Sequence, residues 1–185
     1  MILLVTGGSG CGKSAYAERR VTELAAKGNK AIYYLATMLI FGEEGRKKVE
    51  RHKELRRGKG MQTLEQTRDV AEAALWIQER DAVILLEDMG NLVANEMFSE
   101  SGEMTPWETV AEKIIRQVME LSKKVSHLVI VTNNVFEDGI PYEEGTQGYL
   151  KALGRVNQVL AEKAREVTEV VAGIPLRRKG SSYGE

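Results

Sequence analysis

The chain has 185 residues, 43% of them hydrophobic and 29% charged, with 26 basic side chains against 27 acidic ones and a net charge of −1. That balance is the composition of a soluble globular protein of a size one core can serve, and it excludes a dedicated nucleic-acid or membrane-surface binder. No apolar run reaches the ~20 residues of a membrane span, and the single cysteine, Cys11, leaves neither an internal disulfide nor a cysteine metal cluster. A cytoplasmic protein is expected.

The first run, Ile2–Thr6, predicts a buried strand rather than a signal peptide. Directly after it, Gly7-Gly8-Ser9-Gly10-Cys11-Gly12-Lys13-Ser14 spell G-x-x-x-x-G-K-S, a phosphate-binding loop in its proper place. The glycines let the backbone curl so that its N–H groups point at the phosphates of ATP or GTP, and the following helix adds the positive end of its dipole. Lys13 neutralises phosphate charge, and the Ser14 hydroxyl is placed to ligate Mg²⁺. A glycine turn with only a structural purpose has no use for the Lys-Ser pair. Cys11 contributes its backbone here rather than its thiol.

Ser14–Lys27 reads as the first helix, closed by Gly28-Asn29, and Ala31–Ala36 as the second strand. The next segment, Glu43–Lys59, carries eight basic and four acidic side chains, a net +4. Such a run is ordinarily a solvated helix face. On a helix, however, Lys48 and Arg56 lie four residues either side of His52, on its own face. Those cations disfavour the imidazolium, leaving a neutral ring with a lone pair able to attack phosphorus.

Thr67–Glu79 is predicted as a helix and Ala82–Leu86 as a strand. Glu87 and Asp88 end that strand, where a phosphate loop needs an acid to hold Mg²⁺ or to take a proton from an attacking hydroxyl. Alternation along an extended chain lets only one of the two face the triphosphate; the other reading, an acid capping the next helix, suits Asp88 better than Glu87. Trp107–Lys123 reads as a helix, His127 as a structural histidine ahead of the strand Leu128–Thr132, about Leu150–Arg165 as a helix, and Val167–Val171 as a strand. Alternating apolar runs and helices predict an α/β protein with a P-loop NTPase-like three-layer fold, a mostly parallel sheet flanked by helices. Functional groups then gather at the carboxyl ends of the strands. Residues 1–179 are expected to form one domain and 180–185 a frayed tail.

The chain resembles the bifunctional adenosylcobinamide kinase/adenosylcobinamide-phosphate guanylyltransferase family of cobalamin biosynthesis. The matching residues run in order through nearly the whole chain: Val5-Thr6-Gly7-Gly8 to Gly12-Lys13-Ser14, Tyr34-Leu35-Ala36-Thr37, Glu44, with Lys48 where the family usually has arginine, His52-Lys53 with Arg56, Thr63 and Glu65, Leu85-Leu86-Glu87, Asn95, Val131-Thr132-Asn133, Gly154-Arg155-Val156-Asn157-Gln158 and Gly173-Ile174-Pro175. It departs from the family pattern at Asn134, usually glutamate; Phe136, usually glycine; Asp88, often cysteine; and through a shortened Gly139–Gly154 stretch.

The resemblance implies two reactions. In the first, the γ-phosphate of ATP or GTP passes to the hydroxyl of the aminopropanol arm of adenosylcobinamide. In the second, His52 takes GMP from GTP and passes it to the corrinoid phosphate. Catalytic roles would fall to His52, Lys13 and Glu87, and nucleotide contacts to residues 7–14, Thr37, Lys48, Lys53, Arg56, Glu65 and Glu87, with Mg²⁺ on Ser14 and Glu87. It also implies a corrinoid substrate and a homo-oligomer, a homotrimer in the family, with no nucleic-acid or membrane partner. Two rivals share the phosphate loop: a monofunctional kinase for another small hydroxyl substrate, and a nucleotide-dependent binding module.

Overall fold

A computed structural model describes residues 1–39, 43, 50, 58–99, 102–135 and 142–180. The described strands are β1 (Ile2–Thr6), β2 (Ile32–Ala36), β3 (Met61–Glu65), β4 (Val83–Glu87), β5 (His127–Val131), β6 (Glu166–Val171) and β7 (Ile174–Lys179). They form one sheet in the order β3-β2-β4-β5-β1-β6-β7, parallel throughout except for the antiparallel β6–β7 hairpin.

Both faces of the central strands are covered, which is why their sequences are apolar without alternation. On one face Leu3, Val5, Ile32, Tyr34, Val83, Leu85, Val129 and Val131 pack under α1 (Lys13–Ala26) through Ala17, Val21 and Leu24. On the other face Ile2, Leu4, Tyr33, Leu35, Ile84, Leu86, Leu128 and Ile130 pack under α2 (Met89–Met97), α3 (Trp107–Ser122) and α4 (Glu144–Lys163). Helix α3 buries Val110, Ala111, Ile114, Gln117, Val118 and Leu121, one stripe at helical spacing. No helix among the described residues is long and apolar enough to cross a membrane.

Four elements differ from the sequence expectation. The helix expected over Thr67–Glu79 is a 3-10 helix, Val70–Leu75. Asp69 takes a left-handed φ of 47° just before it, and its backbone N–H and its carboxylate are both engaged by other elements, so a longer α-helix does not start there. Strand β3 is an addition to the expected set, because Met61–Glu65 is a half-exposed row beside β2 with little apolar signal. Strand β7 is another, since all six of its residues are exposed. Helix α4 starts at Glu144 rather than near Leu150. Gly145 and Gly148 weaken its helical signature, yet each admits a close neighbour: added Cβ atoms would lie 3.6 Å from Met104 Sδ and 3.5 Å from Met97 Cε.

The segment expected to be helical over Glu43–Lys59 lies outside the described residues except at 43, 50, 58 and 59. His52, Lys48, Lys53, Arg56, Glu44 and Phe136 are all outside them, as are residues 181–185.

The Asp69 turn is held by Lys113 of α3, whose Nζ lies 2.8 Å from Asp69 and 2.6 Å from Glu96, a carboxylate whose side chain is 4% exposed. The Lys113 hydrogen bond, then that of Gln117, holds the Asp69 carboxyl below its usual range. Lys113→Met leaves Glu96 without this partner and is expected to cost about 2 kcal/mol, less than a fully buried pair because Lys113 is partly solvated. Asp69's depressed pKa makes its share of stability present at neutral pH and lost as the pH falls through the folded value. Urea unfolding at neutral and acid pH checks this: the gap between wild type and variant narrows in acid.

Candidate functional site

The parallel sheet puts the carboxyl ends of β1, β5, β4 and β2 on one rim. From β1 the chain enters the loop of residues 7–14 and then α1, with Gly12 before the helix at φ 91°, a left-handed conformation that favours glycine. Gly7 is set by space: a Cβ there would come 2.6 Å from the Val170 carbonyl oxygen and 2.6 Å from Cys11 Sγ. Lys13 is buried, and its ammonium donates back across the loop to the Gly8 carbonyl at 3.0 Å. Gly8, Ser9, Gly10 and Gly12 remain exposed. The result is a solvent-facing backbone curl with a lysine charge at its base, a built site for a chain of phosphates.

Ser14 Oγ donates to Glu87 Oε1 from the end of β4, joining residues 73 positions apart. Both are hard oxygen donors, the set that suits Mg²⁺ with part of its shell left to phosphates and water. Asp88 faces elsewhere: it caps α2, accepting the Asn91 N–H at 2.8 Å, and its other oxygen receives Asn133 Nδ2 at 3.4 Å. The two acids therefore divide between loop and helix cap.

Thr37 is fully buried. Its N–H donates to the Glu87 carbonyl at 3.1 Å and its hydroxyl to the Asp88 carbonyl at 2.8 Å, while its own carbonyl accepts Asn95 Nδ2 at 2.7 Å. It braces the β4–α2 turn from β2. Glu65 ends β3 level with Ala36, which is also level with Glu87, so the two glutamates flank β2 at the rim. His127 stands at the opposite end of β5, with Nδ1 2.9 Å from Ser126 Oγ, far along the strand from the loop.

Sequence reasoning did not single out the polar group around Gly90. A Cβ there would lie 2.9 Å from the Tyr149 hydroxyl, 3.0 Å from Asn133 Nδ2 and 3.3 Å from Asp88 Oδ1. Glycine is what lets β5, α2 and α4 bring these groups together. Asn133 had a signal in Val131-Thr132-Asn133; Tyr149 had none. Next to it, Thr132 Oγ1 donates to Asn157 Oδ1 at 2.7 Å, tying the end of β5 to α4.

A mostly parallel sheet with this loop after β1 and an acid from β4 touching the loop's serine defines a P-loop NTPase-like nucleotide-binding protein. A KaiC-like protein from Pyrococcus horikoshii shares the fold, with TM-score 0.53 at 13% identity over 98% of this chain and 79% of that one. The flagellar accessory protein FlaH from Methanocaldococcus jannaschii does so with TM-score 0.50 at 14% identity over 97% of this chain and 78% of that one. In sequence, residues 3–178 match the family described as cobinamide kinase / cobinamide phosphate guanyltransferase, and the chain belongs to that family. Relatives named bifunctional adenosylcobalamin biosynthesis protein CobU are 31% identical in Salmonella typhimurium and 29% in Escherichia coli, each over 97% of this chain and all of the relative. The counterpart named CobP in Pseudomonas aeruginosa is 27% identical over 96% of both chains.

Burial, followed by the charge of Asp88, pushes the Tyr149 hydroxyl up to about 12. Tyr149 therefore stays protonated through the range in which an exposed tyrosine ionises. Phenolate absorbance followed with rising pH is expected to show a late step that Tyr149→Phe removes. Asp88→Asn brings that step down only in part, because burial is the larger cause.

Proposed function

We propose that this protein carries out both activities of its family on a corrinoid substrate. In the first, the substrate hydroxyl oxygen bonds to the γ-phosphorus of ATP or GTP as its proton passes to solvent, the bond from that phosphorus to the bridging oxygen breaks, and a nucleoside diphosphate leaves. In the second, a neutral His52 nitrogen bonds to the α-phosphorus of GTP and expels pyrophosphate. An oxygen of the corrinoid phosphate then displaces the histidine, giving the GDP-linked corrinoid and restoring His52. Splitting the transfer through a phosphoramidate replaces one hard displacement with two easier ones.

The observation that carries this reading is the Ser14–Glu87 contact beside the Lys13-closed loop. Phosphoryl transfer depends on positioning and charge neutralisation, and this arrangement supplies both. Lys13 counters phosphate charge from within the loop. Ser14 and Glu87 would hold Mg²⁺, which would supply further neutralisation of phosphate charge. Lys48, Lys53 and Arg56 are assigned by sequence to the phosphates that His52 approaches, and Thr37 and Glu65 to the nucleotide side of the rim. A cytoplasmic homotrimer, without nucleic-acid or membrane partners, is the assembly we attach to this function. Residues 1–179 act in it as one domain.

Incubation with Mg²⁺ and GTP labelled on the α-phosphate is expected to leave acid-labile, alkali-stable label on the protein. His52→Ala abolishes the label while phosphorylation of cobinamide persists. Lys13→Ala lowers both activities by about a hundredfold or more, since both use one loop. Guanylylation retained in Lys13→Ala rules out the shared loop, and absence of label on the wild type rules out the second activity.

A further inference from the structure

In phosphoryl transfer the attacking and leaving oxygens lie roughly in line through phosphorus. The loop of residues 7–14 and α1, which covers one face of the sheet, hold the leaving side. The attacking hydroxyl therefore reaches the rim from the side away from the loop, where α2 and α4 cover the opposite face. Asp88, Asn133 and Tyr149 meet on that side around Gly90.

Strand order sets this group beside the reacting phosphate. Strand β5 lies between β1, which leads into the loop, and β4, which ends in Glu87, so the Ser14–Glu87 contact passes over the end of β5. Just past that end, Thr132 is tied to Asn157 of α4, and the Asn134 N–H donates to the Gly7 carbonyl at 3.1 Å. Asn133 stands between these two anchors. Thr37 and Glu65, assigned above to the nucleotide, end β2 and β3 on the other side of β4, so they leave the group around Gly90 open to a second substrate.

The Asp88 carboxylate has an oxygen to spare. Its Oδ1 accepts the Asn91 N–H at 2.8 Å and so caps α2, whereas among the described residues its Oδ2 receives only Asn133 Nδ2, at a long 3.4 Å. A carboxylate oxygen has lone pairs for two hydrogen bonds. All three side chains of the group are half-buried, within reach of a ligand at the rim.

We infer that Asp88 Oδ2 receives the hydrogen bond of the acceptor hydroxyl in the first reaction, with Asn133 and Tyr149 as positioning residues that hold the carboxylate in place. The inference rests on the kinase reading above and names the side chain that receives the acceptor. A carboxylate takes the O–H hydrogen and leaves an oxygen lone pair turned to the γ-phosphorus, and its charge repels phosphate, which keeps the place for a neutral group. Asp88 orients the hydroxyl only; the proton still passes to solvent as the bonds exchange.

Asp88→Asn is the informative variant because asparagine caps a helix as well as aspartate does. The full chain is assayed with Mg²⁺ and ATP for phosphorylation of cobinamide, for nucleotide binding, and with α-labelled GTP for label on His52, a step that needs no acceptor. Asp88→Asn is expected to lower kcat/KM for cobinamide about tenfold or more, and Tyr149→Phe about threefold, with nucleotide KM and the His52 label close to wild type in both. Unchanged cobinamide kinetics in Asp88→Asn overturns the assignment. Equal loss of cobinamide phosphorylation, nucleotide binding and label also overturns it, because Asp88 would then be shaping the rim alone. A wild type that binds nucleotide yet phosphorylates no cobinamide defeats the kinase reading and this assignment with it, an outcome distinct from the other two.

Discussion

Parallel pairing of β1, β5 and β4 is the constraint on which the rest of the site depends. It directs every carboxyl end to one rim and sets β5 between the strand that leads into the phosphate loop and the strand that ends in Glu87. The separation across β5 is two inter-strand steps of ~4.8 Å. Ser14, in the first turn of α1, closes that gap to Glu87. Because the sheet is buried on both faces by apolar side chains, neither strand can slip without moving a whole row of core residues. Register in the core is therefore what holds two polar side chains in contact at the rim.

Around this contact the polar groups divide the tasks. Glu87 takes the loop serine, and Asp88 caps α2. Thr37 spans both residues through their carbonyls, and Asn95 in turn secures Thr37 and Thr67. Hydrogen bonds to backbone groups in a semi-buried rim limit how far the acids move, which matters where catalysis comes from placement. Gly90 permits a similarly close approach on the other side, where Tyr149, Asn133 and Asp88 converge.

Membership of the cobinamide kinase / cobinamide phosphate guanyltransferase family and the phosphate-loop geometry support the same chemistry from independent directions. The departures noted in the sequence have different places in the structure. Asp88 is a helix cap, and Asn134 donates its backbone N–H to the Gly7 carbonyl at 3.1 Å. That bond uses main chain, so it does not depend on whether residue 134 is asparagine or glutamate.

Local signals were legible wherever they carried their own physics. The G-x-x-x-x-G-K-S loop, the buried runs of β1, β2, β4 and β5, and the stripe of α3 follow from backbone freedom, continuous burial and helical spacing. Elements whose stability comes from neighbours were not legible. Strands β3 and β7 are a half-exposed and an exposed row held by pairing, the start of α4 is hidden by glycines that serve close packing, and the 3-10 helix is shaped by Lys113, Glu96 and Gln117. The choice between Glu87 and Asp88 is of the same kind. By itself the sequence determined the class of fold and the chemistry of the loop, because both are written in runs of adjacent residues. Only the tertiary structure decided which acid meets Ser14 and what surrounds Tyr149, because those contacts join residues far apart in the chain and depend on strand order and register.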